Sequence, residues 1–160
     1  MSSEPLDPRS FRRACARFAT GIAVAGVLAP DGSPHGLTVN SFTSVSCDPP
    51  IVLICIDHRC SLISFFRQSR YFGVSVLEET QLELSVKFSG RSDNRFEGVD
   101  WRAGRSGVPL LEAALSVFEC RVEQQVDVGD HTVFFGEVTD VSLGEGKPLL
   151  YFDSAYRHLE

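Results

Sequence analysis

The sequence predicts a mainly β protein with short helices, organised as an antiparallel barrel with the helices packed on its outside. Short apolar or alternating segments, separated by turns that contain glycine or proline, recur along the chain. The last third is all-β, and few β-α-β crossovers are possible elsewhere. A doubly wound parallel sheet therefore fits the pattern less well than an antiparallel barrel.

Length and composition set the class of protein. The chain has 160 residues, of which 43% are hydrophobic and 22% are charged. These values are typical of one globular domain, so we expect a single domain over residues 1–160. The formal net charge of −6 argues against a nucleic-acid partner but allows a local basic pocket for one phosphate.

The N-terminal residues 1–13 contain acids, prolines and arginines but no apolar core like that of a signal peptide. No apolar run approaches the ~20 residues of a membrane helix. We therefore expect a cytoplasmic protein. The five cysteines form no CxxC pair, and we expect reduced thiols packed as small apolar residues, with no bound metal.

The first element is predicted to be a helix that begins at Asp7-Pro8, because aspartate caps helices and proline suits the first turn. Apolar residues then recur at helical spacing, which predicts one buried face, and Thr20-Gly21 is expected to end the helix. The residues of that face are Phe11, Ala14, Cys15 and Phe18.

A hairpin follows, with strands over residues 22–28 and 34–43 joined by a turn at residues 30–33. The extended stretch is expected to continue to Ser46. Asp48-Pro49-Pro50 is a break, after which residues 51–56 form the clearest central strand.

The middle and the C-terminal part continue the same pattern. Helices are predicted over residues 61–68 and 78–88, with a strand at 71–77 between them. Residues 89–107 are expected to cross the surface, anchored by Phe96 and Trp101. Strands at 117–122, 132–141 and 148–152 complete the domain, and alternation in the first of these places Glu119 on the wet face.

The first candidate site is the ribbon of residues 36–46, which carries five hydroxyl side chains and the amide of Asn40. From the residues alone, an edge strand whose serines and threonines face water is favoured. The functional alternative is a polar shelf that meets the edge of a flat heterocycle.

Two further segments have the composition of an anion site. Ser61 stands between a strand and a helix, where it either caps the helix or holds a phosphate. Lys87 and Arg91 flank small residues near Arg95, which suits a phosphate and equally suits the end of a helix.

The hairpin turn Gly129-Asp130-His131-Thr132 is the last candidate. His131 either orients a nicotinamide or relays a proton, and the alternative is a solvated turn histidine. Among the familiar catalytic motifs, GxGxxG after the first strand, GxxxxGK[ST], HExxH and a strand-to-helix GxSxG are all absent.

Taken together and in order, several segments over residues 8–159 resemble the short-chain flavin reductase family. The similarity includes the ribbon 36–46 together with the Gly-Asp-His-Thr turn, which are specific as a pair. The segments that carry the resemblance are residues 11–14, 18–21, 36–46, 48–50, 95–101, 129–132 and 148–152.

The resemblance implies an antiparallel Greek-key split β-barrel, the FMN-binding split barrel, in a homodimer with the flavin near the subunit interface. It implies NADH- or NADPH-dependent reduction of FMN or FAD, which supplies reduced flavin to a partner monooxygenase. The alternatives are a protein that holds its flavin tightly and reduces a quinone or ferric chelate, a non-catalytic flavin-binding protein, and a cofactor-free interaction module.

The resemblance also implies roles for individual residues. The residues that line the isoalloxazine edge are Thr38, Val39, Asn40 and Ser41, and those that continue this wall are Ser44, Val45 and Ser46. The residues that hold the ribityl chain and phosphate are Cys55, Ile56, Asp57 and Ser61, with Phe88, Ser89 and Gly90 closing over the phosphate end. The residues that face the nicotinamide are His131, Tyr156 and Arg157. Cys60, beside the phosphate contacts, has no assigned role.

Overall fold

The computed structural model describes residues 5–160, so the first four residues of the segment inspected for a signal peptide lie outside the described part. The helices are α1 (Pro8–Cys15), α2 (Ile63–Gln68) and α3 (Leu82–Ser89), the last preceded by a 3₁₀ turn (Glu79–Gln81). The strands are β1 (Thr20–Gly21), β2 (Ala23–Leu28), β3 (Pro34–Val39), β4 (Thr43–Cys47), β5 (Pro50–Asp57), β6 (Tyr71–Val76), β7 (Trp101–Ala103), β8 (Pro109–Leu111), β9 (Ser116–Val128), β10 (His131–Leu143), β11 (Leu150–Phe152) and β12 (Ala155–Arg157).

A seven-stranded antiparallel sheet in the order β3-β2-β6-β9-β10-β5-β4 forms the body of the protein. A three-stranded sheet, β1-β11-β12, and the pair β7-β8 lie against it. The predicted fold class, mainly β with short helices, is confirmed. None of the described helices is long and apolar enough to cross a membrane.

The sheet curves strongly, because its two edge strands are consecutive in the chain. Laid flat, seven strands would separate β3 from β4 by about 29 Å. The link from Val39 to Thr43 spans at most about 15 Å. The edges must therefore approach each other, and the sheet remains open between them, as a split barrel requires.

The barrel interior is the largest hydrophobic core, and β5, β6 and β10 contribute its fully buried residues Ile54, Phe72 and Phe134. Gly136 is required there, because a Cβ at this position would lie 2.6 Å from both the Cβ of Cys120 and the ring of Phe72. A second core under α3 centres on Phe88 and contains the predicted anchor Phe96, with the half-buried Trp101 packed against it.

The predicted extended stretch 34–46 is divided into two strands at opposite edges of the sheet. β3 pairs with β2 in the predicted hairpin, whereas β4 pairs with β5. Residues 40–42 cross the opening between the edges. This crossing lies beside the candidate site.

The prediction of a buried face on α1 is wrong for the described chain. Asp7 caps the helix as expected, since its side chain accepts hydrogen bonds from the amides of Arg9 and Ser10. However, α1 has no buried residue, and Phe11 and Phe18 are 57% and 78% exposed. The apolar pattern is therefore real, but no element within residues 5–160 covers it. The helix also ends at Cys15, and Thr20–Gly21 is a strand.

Glu119 is not on the wet face that alternation predicts, because it is only 2% exposed. The loop at residues 104–107 folds over this part of β9. The Glu119 carboxylate accepts hydrogen bonds from the amides of Arg105 and Ser106 and from the Ser106 hydroxyl. Burial alone would raise the pKa of Glu119, but these hydrogen bonds outweigh it and hold the pKa below its ordinary value.

Two smaller predictions also need correction. Ser61 does not cap α2, since Leu62 occupies the N-cap position and no side chain caps the helix. The cysteines are all free, as expected, but only Cys120 is buried, and burial raises its pKa to about 12. Cys15 and Cys47 are exposed thiols rather than core residues.

Candidate functional site

Two adjoining clefts run along the outer side of β3, between this strand and α3. The larger, of about 460 Å³, lies between residues 59–61, which precede α2, and the end of α3. The smaller, of about 250 Å³, extends towards β11 and β12. Both are lined by Thr38 and Ser89, which makes them one elongated slot. Its size is that of a pocket for a small organic ligand, which typically measures about 300–1,000 Å³.

The larger cleft has a cationic end, which Arg59, Arg91 and Arg95 line together with Ser89 and Gly90. Arg95 is only 7% exposed. Its Nε donates to the carbonyl of Ser92, and its Nη1 donates to the carbonyls of Gly36 and Phe88. These bonds fix the guanidinium at the floor of the cleft.

The smaller cleft has an aromatic wall formed by Tyr151 and Tyr156, whose rings meet edge to face with centroids 5.6 Å apart. The Tyr156 hydroxyl lies 2.9 Å from Oγ of Ser85, a fully buried residue of α3. This hydrogen bond joins β12 to the helix across the slot and holds the tyrosine ring in place.

The opposite side of the slot is the end of β3, where Thr38, Val39 and the exposed Asn40 line the smaller cleft. The Thr38 hydroxyl donates to the carbonyl of Ser85 at 2.7 Å, so this side chain ties β3 to α3. The slot offers the Asn40 amide to a ligand, whereas the Thr38 hydroxyl has committed its proton to Ser85 and can only accept a further hydrogen bond.

A cavity of about 70 Å³ adjoins the slot and shares Ile22, Val39 and Asn40 with it. Thr20 lines this cavity, and its Oγ1 is a buried side-chain oxygen without a hydrogen-bond partner among the described residues. Because buried hydroxyls are normally paired, this oxygen is a polar atom that the described residues leave unsatisfied.

The residues predicted on β5 lie behind the slot rather than in its lining. Ser41 Oγ accepts from the Cys55 amide at 2.9 Å and donates to the Cys55 carbonyl, so it closes the gap between the sheet edges. The Ile56 side chain is 1% exposed in the barrel core. Ile56 lines neither cleft, so its contact with a ligand remains a prediction.

Asp57 lies at the end of β5 and is held by Arg59, which donates to both of its carboxylate oxygens. The Arg59 side-chain and backbone hydrogen bonds hold the pKa of Asp57 well below its ordinary value. Because Arg59 also lines the larger cleft, this ion pair connects the cleft to the end of β5.

Ser61 and Cys60 both line the larger cleft, Ser61 as an exposed hydroxyl and Cys60 as a half-buried thiol. Ser89 and Gly90 are exposed at its opposite side, whereas the Phe88 ring is fully buried in the core beneath. Phe88 therefore supports the cleft floor rather than covering a ligand.

The residues predicted to continue the wall along β4 stand on the outer edge of the sheet. Ser44 and Val45 are exposed, Ser46 is half-buried, and none of the three lines the two clefts. In the described chain they match the edge-strand alternative, and their contact with a ligand remains a prediction.

His131 stands at the β9–β10 hairpin, outside the lining of the two clefts. Its Nδ1 lies 2.7 Å from the Asp130 carboxylate. This hydrogen bond is the chief reason why the pKa of Asp130 is below its ordinary value. His131 pairs with Asp57 in the β5–β10 register, and Asp57 is the partner of Arg59, which lines the larger cleft. Arg157 is exposed on β12, while its neighbour Tyr156 lines the slot.

The sequence interpretation missed three groups of the slot, namely Ser85, Tyr151 and the role of Arg59. Ser85 and Tyr151 have no local signal, because a serine within a helix and a tyrosine within a short strand are ordinary residues. Arg95 has a signal, because it is a cation close in sequence to the small residues that suit a phosphate.

Comparison with known proteins identifies the family. The family model described as "Flavin reductase like domain" matches residues 15–160. The FMN reductase (NADH) SmoA of Agrobacterium fabrum is 40% identical over 148 residues, which cover 92% of this chain and 84% of that protein. The reductase subunit HsaB of a flavin-dependent monooxygenase from Rhodococcus jostii is 34% identical and covers 100% of this chain and 82% of that protein.

A solved structure of a Streptomyces globisporus NADH:FAD oxidoreductase, in complex with NAD and FAD fragments, superposes with a TM-score of 0.91. It is 35% identical, over 99% of this chain and 98% of that one. Two other relatives, both from Rhizobium meliloti, are longer, and the chain spans only 45% and 60% of their lengths. The match over residues 15–160 nevertheless covers most of this chain, which belongs to the flavin reductase like domain family.

Proposed function

We propose that this protein is an NADH- or NADPH-dependent flavin reductase, which transfers hydride from the nicotinamide to FMN or FAD. One observation carries the proposal: a single slot along β3 ends in arginines on one side and in two tyrosines on the other. An arginine-lined end suits a phosphate, and an aromatic wall suits a flat ring.

The residues present fit a bound flavin. The slot joins a polar cationic cleft to a narrower aromatic one, as a ring with a phosphorylated tail requires. The Thr20 hydroxyl, which has no hydrogen-bond partner among the described residues, lines the small cavity beside the narrower cleft. Flavin, when bound, supplies the redox chemistry by accepting hydride from the nicotinamide.

The chain's own part in this reaction is to bind and orient. Val39, Asn40 and Tyr156 border the position proposed for the ring, and Ser89 and Gly90 present backbone groups to the phosphate end. His131 is proposed to face the nicotinamide, held by its hydrogen bond to Asp130. Correct stacking of two rings at reactive distance accounts for much of the rate that such a site provides.

A monooxygenase partner is part of the proposal. Its support is that relatives covering nearly all of this chain are named as reductase subunits of flavin-dependent monooxygenases. The reduced flavin made here would then serve as the co-substrate of the second enzyme.

We also propose that the protein is a homodimer and that a second copy covers α1. The support is the exposed apolar face of this helix beside the slot. Phe11 and Phe18 line a surface groove of about 260 Å³ that also includes Asn40 and Tyr151 of the slot. Exposed aromatic residues grouped next to a ligand site are typical of an interface.

The cytoplasm is the compartment we propose, because all five cysteines are free and two of them, Cys15 and Cys47, are exposed. Exposed free thiols persist in a reducing environment and are oxidised outside it.

The experiment that tests the function is a steady-state assay of NADH and NADPH oxidation with FMN, FAD or riboflavin as acceptor. The proposal expects flavin-dependent oxidation of at least one nicotinamide, and rapid exchange of flavin on dilution. Flavin binding without nicotinamide oxidation would identify a storage protein, and slow exchange with reduction of a quinone or ferric chelate would identify the other enzyme class.

A further inference from the structure

We propose that Arg17 is a positioning residue, which holds the turn Asp153-Ser154 and thereby keeps Tyr156 on the aromatic wall of the slot. The inference rests on the proposed function, in which this wall borders the flavin ring. It goes beyond that function, because Arg17 itself lines neither cleft and acts only through the hairpin that it holds.

The turn between β11 and β12 has a conformation that its own residues do not favour. It has two residues, since Phe152 pairs with Ala155, and both have positive φ, 52° at Asp153 and 61° at Ser154. Such a turn is type I′, in which aspartate is common at the first position and glycine at the second. A serine in the left-handed region is unfavourable, so contacts from outside the hairpin must help to hold this turn.

The position of Tyr156 depends on this turn. Among the described strands, β12 is an edge strand that pairs with β11 alone, over three residue pairs. In that register Tyr156 lies opposite Tyr151, and both tyrosines line the smaller cleft. A slip of one residue would turn Tyr156 to the other face of the sheet, because side chains alternate along a strand.

Residues 16 and 17, which follow α1, supply the outside contacts. Nη1 of Arg17 lies 3.5 Å from Oδ2 of Asp153, and its guanidinium lies over the Phe152 ring with Cζ 4.9 Å from the ring centroid. The Asp153 amide donates to the Ala16 carbonyl at 2.8 Å. An exposed ion pair or cation–π contact contributes little alone. Here both contacts come from one side chain and act on adjoining residues of the hairpin, so together they favour the observed turn.

A general effect of positive charge near the end of α1 does not explain this arrangement. Cations are favourable there, and Arg12 and Arg13 already occupy the last turn of the helix. Arg13 also lines the same surface cavity of about 430 Å³ as Arg17 and Asp153. However, Arg13 makes no ion pair among residues 5–160. Arg17 is therefore distinguished by its contacts with the hairpin, and Arg13 is a matched control.

The first test needs no flavin and measures amide hydrogen exchange of residues 150–157 by mass spectrometry. In Arg17→Gln we expect exchange of this segment to become about threefold faster or more, because the hairpin opens more often, while exchange of β5 stays unchanged. Arg13→Gln should match the wild type in both segments. Equal exchange in Arg17→Gln and the wild type, or an equal increase in Arg13→Gln, would overturn the inference.

The second test measures the affinity for FMN from quenching of flavin fluorescence, and it includes a rescue. Arg17→Gln is expected to bind FMN about threefold more weakly, which is the size of loss expected when an exposed ion pair is removed. Ser154→Gly gives the turn its preferred residue, so Arg17→Gln combined with Ser154→Gly should regain the affinity and the exchange of the wild type. A loss that the second change does not restore would overturn the role proposed for the turn. If the wild type binds no flavin, the proposed function fails, and hydrogen exchange alone decides whether Arg17 holds the hairpin.

Discussion

The hydroxyl of Tyr156 and the hydroxyl of Ser85 lie 2.9 Å apart, which connects the C-terminal strand to helix α3 across the slot. Ser85 is fully buried and its carbonyl also accepts a hydrogen bond from Thr38. One residue of α3 therefore fixes both sides of the narrower cleft. The width of the slot depends on this serine.

Tyr156→Phe is expected to weaken flavin binding about threefold to tenfold, because removal of one hydrogen bond of this kind costs about 1 kcal/mol and frees the ring. Fluorescence titration with FMN measures the change. Ser85→Ala should give the same loss, since it removes the other partner. Tyr71→Phe, in a half-buried tyrosine of a separate core cluster, is the control that should leave the affinity unchanged. A loss in Tyr156→Phe that Ser85→Ala does not share would contradict the proposed role of the hydrogen bond.

His131→Ala is expected to slow hydride transfer or raise the KM for the nicotinamide about tenfold, while the affinity for flavin stays the same. The reason is that His131 stands outside the lining of the flavin slot but is held in one orientation by Asp130. Stopped-flow reduction kinetics measure the effect. The exposed His158, changed to alanine, serves as the control. Unchanged reduction kinetics in His131→Ala would remove this histidine from the site.

The sequence predicted the strands well because turns and apolar runs are local signals. The β9–β10 hairpin, which turns between Val128 and His131, forms at the residues where the sequence predicts it. The same is true of strand β5. Glu119 was misplaced because a loop at 104–107 covers it, and that contact joins distant parts of the chain. The alternation of apolar and polar residues along one strand gives no information about a loop from another part of the chain that covers the strand.

The candidate site was predictable only in part, for a similar reason. The end of β3 was found from its polar residues, but Ser85 lies 47 residues away from Thr38 and 71 from Tyr156. Only the folded chain brings these elements together. The exposed face of α1 shows the opposite case, since its apolar pattern is present as predicted but none of the described residues covers it.

Glu119→Gln is expected to lower the free energy of unfolding at pH 7 by about 2 kcal/mol, because a buried carboxylate that accepts three hydrogen bonds is replaced by a neutral amide with donors to satisfy. The exposed Glu123 on the same strand, changed to Gln, should cost less than about 1 kcal/mol. Urea denaturation measures both. A loss in Glu119→Gln no greater than in Glu123→Gln would contradict this account of the loop.

The stabilisation from Glu119 should also depend on pH. Its pKa in the folded protein lies below the ordinary value of 4.5. The contribution is therefore fully present above that ordinary value and is lost as the pH falls through the lower, folded-state pKa. The difference in stability between the wild type and Glu119→Gln should shrink below pH 4.5 and remain constant between pH 6 and 8. A difference that grows on acidification would show that the sign is wrong.

Replacement of two exposed aromatic residues, Phe11→Ser in α1 and Phe18→Ser just after it, is expected to shift the protein from dimer to monomer. These side chains are exposed in the single chain, so the change should not lower the stability of the monomer itself. Light scattering after size exclusion measures the mass. Arg13→Gln, on the same helix but off the apolar face, should remain dimeric. A wild type that is monomeric at every concentration would exclude the proposed assembly.

A crystal structure of the protein with FMN bound tests the central claim most directly. The account predicts the ring between Val39–Asn40 and Tyr156, with the phosphate against Ser89 and Gly90. A flavin bound elsewhere on the protein, with this slot closed or filled by side chains, would contradict it.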